Sequence, residues 1–290
     1  TELEYAQQLV NDPSLPSTIV NSTDPNKYTC LASTDWFDEI FDKFGTSHQH
    51  NLSLSGASQK ASYYLGTEYY AESGMLHYNK DQYSRFNVRS NVEYRPYEWL
   101  KVGNNTAFTY YKYDKPTNFY SWMYNIANQT NTLVSVYNPD GSYTKEGAQL
   151  IGTLIDGGEQ VTKNSALYTQ FTAVADLIPH MWNVKADFTA KVNNNRIDTW
   201  DSDKNIPYRT GPNTTDIYLG WENYAQKSSA QTIYTLVNLY TDFHKDFGKH
   251  TVSAVAGYSQ EYEHYNYLLS KRKDLITDTY PSVQLATGDM

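Results

Sequence analysis

Trp182-Asn183-Val184-Lys185-Ala186-Asp187-Phe188-Thr189-Ala190-Lys191-Val192-Asn193 is the stretch that decides the fold. Trp182, Val184, Ala186, Phe188, Ala190 and Val192 hold one parity; Asn183, Lys185, Asp187, Thr189, Lys191 and Asn193 hold the other. A helix turns once in about 3.6 residues and would scatter those apolar groups around its axis, whereas a strand gathers them on one face. Gln82–Arg95 repeats the pattern, with Phe86, Val88, Val92 and Tyr94 alternating with Arg85, Asn87, Arg89, Asn91, Glu93 and Arg95. Both stretches exceed the roughly 5–6 residues of an ordinary globular strand and match the roughly 10 of a membrane-barrel wall.

Weaker versions place strands near 47–56, 60–71, 83–95, 99–112, 165–178, 181–194, 229–243 and 249–263. Leu52 and Leu54, Leu100 and Val102, then Leu167, Phe171 and Leu177 mark the apolar parity, as do Val252, Ala254, Ala256 and Tyr258 in the last strand. Their connections alternate in length. Short turns fall at Gly56–Gln59, Pro96–Glu98, Pro179–His180 and Phe247–Gly248, and long ones at 72–82, 113–164 and 195–228. Outer-membrane barrels pair short periplasmic turns with long extracellular loops. On that rule residues 1–46 form an extracellular loop with short helices, 47–263 carry barrel strands and loops, and 264–290 open a further loop. The first strand then runs toward the periplasm and needs an upward strand before it. The expected object is an all-β, transmembrane antiparallel barrel segment, cut at both ends.

The loops carry their own signals. Residues 2–11, 34–44 and 119–128 have helical character; Asp35 is placed to cap the second, whose stripe is Trp36, Phe37, Ile40, Phe41 and Phe44. Asn138-Pro139-Asp140-Gly141 reads as a turn, because Pro sets one φ and Asp-Gly accepts a positive one.

Composition agrees and excludes other classes. The 290 residues include 28 Tyr, 6 Trp and 10 Phe, yet mean hydropathy is −0.68. Such a balance suits sheets with one apolar and one wet face. A net charge of −9 excludes a nucleic-acid binder, which needs a basic stripe. No run approaches the roughly 20 apolar residues of a spanning helix. The single Cys30 allows no internal disulfide. Thr1 opens a polar, helix-like segment with no leader, as a processed or internal piece would.

Several ordered motifs resemble SusC-like, TonB-dependent outer-membrane transporters of Bacteroidetes. They are Glu4-Tyr5-Ala6, Thr34-Asp35-Trp36-Phe37-Asp38-Glu39-Ile40-Phe41, and Gln49-His50-Asn51-Leu52-Ser53-Leu54-Ser55-Gly56 running on to Ser62-Tyr63-Tyr64 and Gly74-Met75. Tyr83-Ser84-Arg85-Phe86-Asn87-Val88-Arg89-Ser90-Asn91, Trp99-Leu100-Lys101-Val102-Gly103, Val136-Tyr137-Asn138-Pro139-Asp140-Gly141-Ser142-Tyr143 and Gly248-Lys249-His250-Thr251-Val252 through Gly257-Tyr258 continue the order. The resemblance covers most of the chain and thins at 144–164 and 195–228. It implies a barrel of about 22 strands with an N-terminal plug, this piece supplying roughly strands two to nine. It also implies a SusD-like surface lipoprotein as lid, TonB acting through an N-terminal region that this chain lacks, and import of an oligosaccharide or oligopeptide across the bacterial outer membrane.

Arg85, Asn87, Arg89, Asn91 and Glu93 are expected to line the lumen, chiefly as a wall satisfied by plug and water. Tyr120, Trp122 and Tyr124, with Trp200 and Trp221 in the next loop, are candidates to stack on sugar rings or hold peptide side chains; membrane girdle or loop packing competes for the same aromatics. Asp201-Ser202-Asp203-Lys204-Asn205 begins like a calcium loop but has Ile206 where the turn needs Gly and Pro212 where a bidentate Glu belongs. His48 and His50 share a strand face without further ligands. No motif pairs a nucleophile with a base, so no catalytic residue, metal or cofactor is assigned. A passive porin, or a soluble secreted carbohydrate-binding β-sandwich, would share parts of this pattern. The first would lack a plug; the second would bury the Phe86/Val88/Val92 face against another sheet.

Overall fold

The computed structural model describes residues 1–79, 81–119, 121–202, 206–218, 223–277 and 279–289, with backbone alone at 121 and 122. Eight long strands form one antiparallel sheet in chain order: β1 Thr46–Ala57, β2 Ala61–Ser73, β3 Gln82–Tyr97, β4 Leu100–Pro116, β5 Gly158–Ile178, β6 Trp182–Ser202, β7 Asn223–Phe247 and β8 His250–Lys273. Each strand pairs with its sequence neighbour, and β1 and β8 are the two edges, so the sheet does not close within this chain. No second sheet packs on either face among the described residues.

Register keeps the two parities apart across the whole sheet. One row runs Leu52, Thr67, Val88, Phe108, Leu167, Val192 and Ile233, each opposite the next. The opposite face carries Asn51, Glu68, Asn87, Thr109, Ala166, Asn193 and Thr232 in the same way. Where polar groups interrupt the apolar face they satisfy one another. Asn104 Nδ2 donates to Thr169 Oγ1 (3.1 Å), Thr106 Oγ1 donates to Asn104 Oδ1 (2.9 Å), and the two threonine hydroxyls lie 2.8 Å apart.

The tight turns fall where the sequence places them. His180 (φ 63°) and Gly248 (φ 62°) supply the left-handed residues of the last two. A register shift between Tyr94 and Tyr97 coincides with Pro96, which has no N–H to give the ladder. At the other end the strands run further than alternation indicates. β5 starts at Gly158, β6 continues to Ser202, β7 starts at Asn223 and β8 continues to Lys273. The two-parity pattern breaks down in these additions, as in Asn193-Asn194-Asn195-Arg196, where both parities are polar, or Leu268-Leu269, where both are apolar. They continue the hydrogen-bonded ladder past the end of the two-faced pattern.

The loops at that end fold into a lobe. α1 (Glu2–Asn11) carries a capping box in which Thr1 Oγ1 accepts from Glu4 N. α2 (Trp36–Ile40) is capped by Asp35, whose carboxylate accepts from Phe37 N (2.9 Å) and Asp38 N (3.3 Å). It is shorter than the expected 34–44: Phe41 leaves the helix to pair with Leu76, and Phe44 is exposed. α3 (Ser121–Gln129) lies one turn's edge from its expected place. A helical segment over 145–156, π-wound at Ala148–Gly152, stands where only loop was read. Two three-residue ribbons, Thr18–Val20 with Tyr28–Cys30 and Ile206–Tyr208 with Asp216–Tyr218, complete it.

Backbone hydrogen bonds join these loops to one another. Ala32 N donates to Leu133 O, Thr34 N to Thr132 O, Tyr28 N to Thr210 O, Arg209 N to Tyr143 O, and His77 N to Ile40 O. Trp36, Ile40, Leu76, Met123, Ala127, Val136, Leu150, Ile151 and Leu154 form the core they enclose.

Candidate functional site

The polar face of β2–β4 brings together Arg85, Asn87, Arg89, Asn91 and Glu93, since their odd positions share one side of β3. Glu68 on β2 stands opposite Asn87 and organises the group: it accepts from Arg85 Nη2 at 2.7 Å and from Asn87 Nδ2 at 3.0 Å. Arg85 also lies over the Tyr70 ring, 5.7 Å from its centre. Glu93 pairs with Lys101 of β4 at 3.2 Å. Arg89 sits by a depression of about 550 Å³ in which Gly66 and Ala107 leave room between Tyr64, Glu68 and Asn87. These are fixed donors and acceptors arranged to hold a polar surface or solute.

Sequence reasoning missed Glu68. Its partners lie on the next strand, so only the register reveals it, although the Asn51-Glu68-Asn87 row follows once β1–β3 are aligned.

Of the loop aromatics, Tyr120 and Trp221 lie outside the described residues, as does the Trp122 side chain. Tyr124 projects from α3, is exposed, and stacks on Phe41 with ring centres 5.2 Å apart. Trp200 lies within β6 rather than in a loop, on the parity of Trp182 and Phe188 and opposite Glu159. The structure thus does not bring Tyr124 and Trp200 onto a common ligand surface. A nearer aromatic pair is Tyr137 and Tyr143, stacked at 5.2 Å across the hairpin turned by Asn138–Gly141. Burial pushes the Tyr143 phenol well above its usual range, with Tyr137 and Asp156 adding to the effect. Asp140 in that turn accepts from Ser142 and pairs with Arg209 at 2.7 Å, and these hold its carboxyl at about 2.

No group of three or more possible metal ligands occurs among the described residues. His48 and His50 meet edge to face, with ring centres 5.4 Å apart, beside Tyr69. The start of the calcium-like stretch, Asp201 and Ser202, is buried in β6, and 203–205 lie outside the described residues.

No protein-family model matches the chain. It is 26% identical over 243 residues to TonB-dependent receptor P3 of Formosa agariphila, covering 79% of this chain and 23% of that protein. It is 28% identical over 119 residues to TonB-dependent receptor P26 of the same organism, covering 41% and 11%. Among solved structures, the RagAB peptide importer in its closed-closed and open-open states superposes with a TM-score of 0.70 at 18% identity, covering 96% of this chain and 30% of the importer chain. The chain therefore spans about a quarter of the receptor and under a third of the importer chain. In sequence the chain is thus similar to TonB-dependent receptors of a Bacteroidetes species and in fold to part of the RagAB importer chain, and it fits a SusC-like fragment.

Proposed function

We propose that this chain is part of the wall of a TonB-dependent importer in the bacterial outer membrane. The observation that carries the reading is the two-faced sheet. Along Trp182–Val192 and Phe86–Tyr94 the apolar face meets no other part of the described protein, and Phe171, Phe188, Val237 and Leu239 remain exposed on it. In water such an area would drive aggregation, whereas against lipid it costs nothing. The opposite face, with Arg85, Asn87, Arg89, Asn91 and Glu93, then lines the lumen. The long loops lie outside the cell, and the four tight turns face the periplasm.

On this reading the substrate is an oligopeptide or oligosaccharide too large for ordinary porins. A SusD-like lipoprotein closes over the lobe, and TonB acts through an N-terminal region outside this chain. The neighbours named as peptide importers and the relatives named as TonB-dependent receptors support it. Residues 1–46 and 264–290 serve as extracellular segments and 47–263 as wall with its loops.

The test is to fractionate cells expressing the full-length protein and follow uptake of labelled peptides and glycans with and without TonB. Outer-membrane localisation with TonB-dependent uptake is expected. Uptake that survives loss of TonB would mean a passive porin, and recovery in the soluble fraction would sink the wall reading altogether.

A further inference from the structure

At the loop end of β2–β5 the polar face carries a second pocket, of about 470 Å³, beside the Glu68–Arg85 group, whose Arg85 reaches Tyr83 at its rim. Tyr83, Tyr111 and Tyr113 wall it, and Glu72 and Asp81 supply carboxylates. Parity explains the grouping. Glu72 stands opposite Tyr83, which stands opposite Tyr113, so all three project on one side of three successive strands.

The rings do not make a flat platform. Tyr83 is tilted 34° to Tyr111 and 59° to Tyr113, with centres 5.8 and 6.5 Å apart. A sugar ring stacks best on a flat aromatic face, whereas a compact cation is served by several ring faces turned toward it. The charges point the same way. Among the described residues, Glu72 accepts from Tyr70 Oη at 2.7 Å and Asp81 Oδ2 accepts a long 3.5 Å contact from Tyr113 Oη, while the buried Asp81 Oδ1 meets no hydrogen-bond donor. Among the described residues no lysine, arginine or histidine pairs with either carboxylate; the nearby Arg85 is held by Glu68. Two negative charges among tyrosine faces lower the energy of a positive group placed between them and offer a neutral sugar no such gain.

We infer that this pocket is a subsite for an organic cation, an ammonium or guanidinium group carried by an oligopeptide. The inference rests on the importer reading above and narrows its substrate class. The cation has two sources, a basic side chain or the peptide's own amino terminus, and the pocket chemistry is the same for both.

The test uses the full-length receptor purified in detergent and titrated with four probes. They are an alanine pentapeptide blocked at both ends with a central lysine, the same peptide with norleucine, the unblocked all-alanine peptide, and maltopentaose. The lysine peptide is expected to bind about tenfold more tightly than the norleucine peptide. That preference should fall to about twofold or less in the Glu72→Gln, Asp81→Asn double variant, and partway in Glu72→Gln alone. The norleucine peptide should bind both proteins alike, which also shows that the variants are folded. Tight binding of the unblocked alanine peptide that depends on the carboxylates would assign the terminal amine as the cation. Peptides that bind without charge preference, or a preference that survives the double variant, would overturn the subsite and leave peptide import standing. Maltopentaose binding that needs Glu72 and Asp81 would overturn it in favour of a sugar site. Failure of every peptide to bind the parent would overturn both the subsite and the peptide-import reading.

Discussion

The wall and the lobe solve the same burial problem in opposite ways. Among the described residues, Ala225 and Pro116 are the buried apolar side chains of the wall strands, while Trp36, Ile40, Leu76, Leu150, Ile151 and Leu154 are buried in the loops. A wall strand satisfies its backbone through its neighbours and leaves its apolar side chains to an outside solvent, which on the reading above is lipid. The lobe has no such solvent and builds an ordinary protein core. Long loops are usually the mobile part of a barrel. Here at least four of them are hydrogen-bonded to one another around shared side chains, so they form one connected platform.

The sharpest way to break this comparison is to damage the lobe core alone. Leu154→Ala removes a fully buried side chain that packs with Leu150 and Ile151, and such truncations cost about 2–5 kcal/mol. Proteolysis should open the loops between 117 and 157 in this variant while the barrel keeps its heat-resistant migration on a gel. Simultaneous loss of both would mean that lobe and wall fold as one unit.

A smaller effect distinguishes the two faces of the wall. Phe188→Arg puts a charge on the apolar face and should cost about 2–4 kcal/mol in a bilayer. Asn193→Arg, on the polar face of the same strand, half-buried between Ala166 and Thr232, should cost little. Refolding titrations into lipid vesicles measure both. Equal costs would mean that the apolar face does not meet lipid.

The wall was far more legible than the lobe, for a physical reason. Alternation is local, so Trp182–Asn193 reveals its strand without any knowledge of its neighbours, and the turns at Pro179–His180 and Phe247–Gly248 carry their own chemistry. The readable pattern stops where both parities become polar, which is why β6 was read to 194 and continues to Ser202. In the lobe, α1 was legible from its helical character and α2 from its Asp35 cap and apolar stripe. The segment at 145–156 was not, because Gly147, Gly152 and Gly157 interrupt it and its π-wound turn shifts Leu150, Ile151 and Leu154 off a regular helical period. Pairing between loops as distant as Tyr28 and Thr210 leaves no trace in either segment. That Arg85, Asn87, Arg89, Asn91 and Glu93 share one face was legible by parity alone, but Glu68 and the Glu72–Tyr83–Tyr113 alignment needed the register.

The smallest predicted effect tests how the lobe is fastened. Asp140 accepts from the Ser142 hydroxyl and amide and pairs with Arg209, which ties the Asn138–Gly141 turn to the 206–208 ribbon. Its carboxyl is lowered from 3.8 to about 2, first by the Ser142 hydrogen bonds and then by Arg209. A lowered carboxyl contributes stability that is complete above the unfolded value and is lost as pH falls through the folded one. The tie should therefore hold unchanged from neutral pH to about 4 and weaken between about 4 and 2. Asp140→Asn keeps an acceptor for Ser142 but removes the charge. Because Arg209 is partly exposed, solvent screens the pair and the loss at pH 7 should be about 0.5–1 kcal/mol. Hydrogen exchange at Ser142 and Arg209 reads the change, since both amides donate within this joint. The parent should lose protection between pH 4 and 2, after correction for intrinsic exchange, while the variant starts lower and stays level. A variant that tracks the parent through that range would show that the ribbon is held by its backbone bonds alone, and that the carboxylate is incidental to the platform.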